Sequence, residues 1–104
     1  MLNKINLKSI KEMLVKYDDL LENGDLNARK EYREMLKSFL KENFEKACDR
    51  YITDVKINRD SYGFTLYTFD KHTNKEQYIK VTYIAHNKSC KIIFNGKFSI
   101  ELAY

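Results

Sequence analysis

A hydroxyl or thiol acts as a catalytic nucleophile only beside a general base that a third group orients. The serines Ser9, Ser38, Ser61, Ser89 and Ser99 lie in no nucleophile motif, GxSxG included. The two cysteines, Cys48 and Cys90, form neither a CxxC pair nor a cluster with histidine, and read as reduced core thiols. His72 and His86 fall in expected turns with no carboxylate or thiol at ligand spacing, so they read as surface histidines. The 3 glycines make no GxG pattern and hence no loop to cradle a phosphate. Asp18-Asp19 and Glu42/Glu45 fall on helix exteriors, where a carboxylate is solvated; Asp49 and Asp54 are the acids placed to face a cavity beneath a sheet. With no catalytic constellation, metal set or cofactor motif, the reading expects a protein that is not an enzyme and carries no cofactor.

Binding chemistry is better represented. The chain has 8 Tyr and 6 Phe. Tyr67, Phe69 and Tyr78 fall on the strand faces opposite the expected core positions, and Lys71, Lys75, Lys80, Lys88 and Lys91 lie on or near the same strands. Aromatic rings rimmed by lysine suit a protein interface anchored by tyrosine. They equally suit single-stranded nucleic acid, through base stacking and phosphate neutralisation. Against both stands the preference of aromatic residues for strands whatever their function. No RNP-like string, helix-turn-helix spacing or zinc-finger spacing favours nucleic acid.

These residues must be positioned by the elements around them, and the longest pattern is helical. From Asp25 to about Arg50 the apolar residues are Ala28, Tyr32, Met35, Leu36, Phe39, Leu40, Phe44, Ala47 and Cys48, in steps of three and four. A step of four overshoots a full turn by about 40°, so the apolar stripe drifts from an Ala28/Met35 side to a Phe44/Cys48 side. An arc that wide predicts a central helix wedged between a second helix and a twisted sheet. Residues 3–22 supply the second helix, with a narrower face of Ile10, Met13, Leu14, Tyr17, Leu20 and Leu21, as expected of an outer helix on the central one. Asn6 or Ser9 caps its start, and Asn23-Gly24 stops it in a left-handed conformation. Asp25 or Asn27 caps the next, and so short a linker makes the pair an antiparallel hairpin.

From Tyr51 the period falls to two. Strands are expected over 51–58, 63–69, 77–85, 90–94 and 97–103. In the first, Thr53, Val55 and Ile57 share a face; in the second, Phe64/Leu66 oppose Tyr67/Phe69; in the third, Ile79, Val81 and Tyr83 point inward. Apolar residues fall on even positions on both sides of Asn95-Gly96, which requires an odd loop to keep them on one face. A type I turn with Gly96 left-handed in a bulge pairs Ile92 with Phe98 and Cys90 with Ile100. The expected fold is therefore one α+β domain over 1–104, an N-terminal helical hairpin on one face of a four- to five-stranded antiparallel meander. The order of elements loosely resembles cystatin-type and cone-shaped α+β folds, a likeness of element order alone.

Length and charge set the remaining bounds. At 104 residues there is chain for one modest core. Met1–Lys16 has a lysine every few residues and no unbroken apolar run, and no stretch approaches the length of a bilayer span. The expectation is a cytoplasmic protein with no membrane partner. The net charge is +4, and residues 51–104 hold 8 basic against 5 acidic residues. That mild excess points to a polyanionic partner, but abundant Lys, Asn, Ile and Tyr without Pro or Trp is also how AT-rich genomes write proteins. The functional expectation is a small accessory protein that binds another protein or a nucleic-acid-processing complex, such as an inhibitor, of phage or mobile-element type, of a host nuclease or defence complex. Nucleic-acid binding by the basic, aromatic sheet face is the alternative, and a ligand or catalytic cavity between helices and sheet is the second. Lysine-rich strand edges are expected to resist uncontrolled pairing.

Overall fold

A computed structural model describes residues 5–48, 51–58, 62–70, 72–84 and 88–104. Two helices, α1 (Leu7–Asn23) and α2 (Leu26–Cys48), precede five strands: β1 (Tyr51–Ile57), β2 (Gly63–Phe69), β3 (Glu76–Ile84), β4 (Ser89–Phe94) and β5 (Phe98–Ala103). The strands form one antiparallel sheet in the order β1-β2-β3-β4-β5, a meander in which each strand pairs with its chain neighbour. The architecture is the α+β one the periodicities predict.

Both helix starts are capped by side chains. Asn6 Oδ1 accepts from Ser9 N at 3.0 Å, and Asp25 Oδ1 accepts from Ala28 N at 2.8 Å, which selects Asn6 and Asp25 from the alternatives. Gly24 is not left-handed: its φ of −88° and ψ of 160° are extended. Its N–H bonds Leu20 O at 2.9 Å, and a β-carbon there would meet that oxygen at 2.8 Å. Glycine serves here for close approach rather than for positive φ.

Leu7, Ile10, Leu14 and Tyr17 form the buried face of α1, and Leu36, Leu40, Phe44 and Ala47 that of α2. These meet Val55, Phe64, Leu66, Ile79, Val81, Tyr83, Cys90 and Ile92 from one side of the sheet in a single core. The drifting arc of α2 is narrower than the spacing suggests. Met35 is 47% exposed, because the seam with α1 is made by Tyr32, whose ring stacks on Tyr17 at 6.3 Å and whose hydroxyl donates to Met13 O at 3.2 Å. Nor is α1 a purely outer helix. Tyr83 Oη donates to Leu7 O at 2.6 Å, and Lys11 Nζ sits 5.3–5.8 Å from the ring centroids of Tyr62, Tyr83 and Tyr104, donating to Tyr104 Oη at 3.2 Å. This lysine–tyrosine clasp ties α1 directly to the sheet. The fold measures 43 × 30 × 22 Å, and its smallest dimension accommodates one layer of helix on one of sheet.

In β1 the register shifts between Ile52 and Asp54, so Thr53 is bulged outward, with Oγ1 donating to Tyr67 O at 3.1 Å. Ile52 therefore joins Val55 in the core, where simple alternation places Thr53. The β4–β5 hairpin also corrects its expected register. Phe94 pairs with Phe98, Ile92 with Ile100 and Cys90 with Leu102. The loop is odd, as parity demands, but both Asn95 (φ 54°) and Gly96 (φ 70°) are left-handed, and Lys97 N bonds Phe94 O at 3.0 Å. Asparagine tolerates that conformation, and here it gains from it: Asn95 N donates to Tyr78 O and Asn95 Oδ1 accepts from Tyr78 N, extending the ladder to β3. A β-carbon on Gly96 would lie 2.7 Å from the Tyr78 hydroxyl. Gly96→Ala is accordingly expected to cost about 1–2 kcal/mol from positive φ alone, read as a lower midpoint in urea unfolding.

Candidate functional site

Because α1 and α2 cover one face of the sheet, the other face is where side chains remain available for a partner. Strand pairing converts the alternation along each strand into rows across this face. One row runs Asp54–Tyr67–Tyr78, the next Lys56–Thr65–Lys80–Ile93–Ser99, and a third Thr82–Lys91–Glu101. Tyr67 and Tyr78 are direct cross-strand neighbours on β2 and β3, 41% and 37% exposed. Lys80 follows Tyr78 by two residues, and Lys91 lies diagonally beyond it on β4. Phe69 flanks the tyrosines, half-buried and opposite Glu76.

Of the residues singled out in the sequence, Tyr67, Phe69, Tyr78, Lys80 and Lys91 are thus brought onto one surface. Lys75 and Lys88 are exposed but sit beyond opposite ends of β3, whose 9 residues hold them apart by about 30 Å. Lys71 and His86 lie outside the described residues; His72 is exposed. One member went unnoticed in the sequence. Lys56, on the edge strand, enters the same row as Lys80 through Thr65. Its polar position in the alternation was a visible signal; its register with Lys80 was not.

At the β1 edge the outer face continues into a groove of about 430 Å³, lined by Tyr17, Arg33 and Lys37 from the helices and by Asp54, Lys56 and Tyr67 from the strands. Among the described residues Arg33 Nε is buried there without a hydrogen-bond partner, with Glu34 Oε1 at 3.9 Å as an ion-pair contact. Asp54, expected to face a cavity beneath the sheet, is exposed on the open side, and its carboxylate accepts from Val55 N at 2.8 Å.

The groups under the helices are held in neutral forms. Burial raises the Tyr83 phenol well above its ordinary value and pushes the free Cys90 thiol up to about 11, which leaves it a poor nucleophile at neutral pH. The buried Thr68 hydroxyl donates to Gln77 O at 3.3 Å. Among the described residues no group of three His, Cys, Asp or Glu side chains is placed to hold a metal ion, and no helix is long and apolar enough to cross a membrane. Comparisons with protein-family models, with curated proteins and with solved structures return no match.

Proposed function

We propose that this chain is a small binding protein that recognises another protein through the open face of its sheet. The observation that carries this reading is the Tyr67–Tyr78 pair, directly opposed on adjacent inner strands, with charges of both signs around it. Tyrosine supplies a large, stiff, amphipathic contact and is enriched at the energetic centres of interfaces. The surrounding charge favours a protein over a nucleic acid. Lys56, Lys80 and Lys91 are interleaved with Asp54, Glu76 and Glu101, so the rim is mixed, whereas a phosphate backbone is tracked by charge of one sign.

The test is affinity capture from source-cell lysate with and without nuclease, using wild type, Tyr67→Ala/Tyr78→Ala and Lys56→Glu/Lys80→Glu. A discrete protein should survive nuclease and be lost from the tyrosine variant, since truncating central interface tyrosines costs about 2 kcal/mol or more, roughly thirtyfold in affinity. Thermal unfolding of the variants should stay close to wild type, because the altered side chains are exposed. Capture that disappears with nuclease and falls steeply with salt would assign the face to nucleic acid instead. Capture that neither variant weakens would remove this face from the interface.

A further inference from the structure

The two edges of the sheet are finished differently. On β1, two backbone N–H groups are capped by carboxylates: Ile52 N donates to Glu45 Oε1 at 3.1 Å and Val55 N to Asp54 Oδ1 at 2.8 Å. The bulge at Thr53 further breaks that edge. Carboxylate caps and bulges are devices that keep an edge from pairing.

β5 has neither. Its register with β4 is unbroken, and its residues Phe98–Ala103 hold one charge, Glu101, with no lysine and no proline. Expected resistance from edge lysines therefore does not extend to this strand. Tyr104 N bonds Lys88 O at 2.8 Å, and the alternation of an antiparallel ladder then turns the backbone groups of Ser99, Glu101 and Ala103 away from β4, off the edge. Apolar side chains accompany them. Phe98 is 60% exposed, and Ile100 and Leu102 are only half-buried.

We propose that β5 pairs antiparallel with β5 of a second copy of this chain, about a two-fold axis at Ile100, fusing two five-stranded sheets into one. The strand's own sequence selects the copy and the register. An axis at Glu101 would set two carboxylates directly opposite each other, which is repulsive. An axis at Leu102 would leave Phe98 without a neighbour, and one at Ser99 would set Leu102 against Gly96, which has no side chain to pack on it. The axis at Ile100 opposes Ser99 to Glu101, Phe98 to Leu102 and Ile100 to itself, so apolar residues meet on the helix side. On the open side it brings Lys97, which shares a shallow outer-face pocket with Lys91 and Ser99, diagonally to Glu101 of the second copy. The capped β1 edges halt the assembly at two chains, because an isologous contact closes on itself.

Sedimentation velocity from micromolar to millimolar concentration tests the assignment. Wild type should convert from monomer to dimer. Ser99→Pro removes an edge-facing N–H donor and should leave monomer throughout. Lys97→Glu should weaken the dimer about tenfold by turning two attractions into repulsions, and adding Glu101→Lys should restore it. If Ser99→Pro does not fold by circular dichroism, the charge reversal and its rescue decide alone. A wild-type chain monomeric at millimolar concentration would overturn the proposal, as would a dimer unmoved by Lys97→Glu.

Discussion

Phe44→Ala is expected to lower stability by about 3–5 kcal/mol, the usual cost of removing a fully buried ring. Phe44 is the largest fully buried side chain of α2, and its ring meets Phe64 of β2 edge-on, centroids 5.5 Å apart at 74°. It is the point at which the central helix is fastened to the centre of the sheet. Truncation loses the transfer energy of the ring and the aromatic contact, and leaves a cavity in a core packed too closely to close it. A small domain holds about 5–15 kcal/mol in total, so this one change removes a large share. At about 4–8 °C per kcal/mol, the melting temperature should fall by at least about 12 °C. Met35→Ala, on an exposed part of the same helix, should stay within about 0.5 kcal/mol. Equal losses at the two positions would contradict the orientation of α2.

Gly63→Ala should be the most damaging of the glycine substitutions, by about 3 kcal/mol, the upper range for forcing extra volume into a packed site. Gly63 opens β2 and is buried against β3, where it pairs with Thr82. A β-carbon there would fall inside van der Waals contact of Val81 O and 3.3 Å from Thr82 Cα. Both obstacles are backbone, so relief requires the strands to separate. That would disturb the neighbouring bonds from Tyr83 N to Tyr62 O and from Asn58 N to Gly63 O. Amide hydrogen exchange should show those two N–H groups losing protection well before the far end of β2. Protection unchanged at both amides, with wild-type stability, would mean that this end of the sheet is looser than its geometry implies.

Two features keep the open face available and firm. Phe44 holds the helices to one side of the sheet, which leaves Tyr67 and Tyr78 uncovered on the other. Tyr78 is also tied to the Asn95–Gly96 turn through both of its backbone groups, so the ring projects from a strand braced at that point. Binding at this face is therefore expected to require little ordering of the backbone, which lowers the entropic cost of association.

The elements, their order and most of their faces were legible in the spacing of residues along the chain. Helical and strand periods are local: Leu36, Leu40 and Phe44 recur every four residues, and Ile79, Val81 and Tyr83 every two, so burial follows from spacing alone. The caps at Asn6 and Asp25 are local too, since each oxygen reaches an N–H three residues on. For the same reason Tyr67, Phe69, Tyr78, Lys80 and Lys91 were legible as a candidate face. Features that depend on two segments at once came from the packed fold. The bulge at Thr53 exchanged it for Ile52 in the core, because Glu45 of α2 and Tyr67 of β2 supply the hydrogen bonds that hold it. The β4–β5 register moved by two residues because Asn95 found its partners on β3. Lys56 joined Lys80, and Glu45 and Asp54 came to guard one edge while the other stayed open, through pairings between strands and packing of helix on sheet. A local pattern states which way a side chain points; what it then meets is set by the free energy of the whole packed chain.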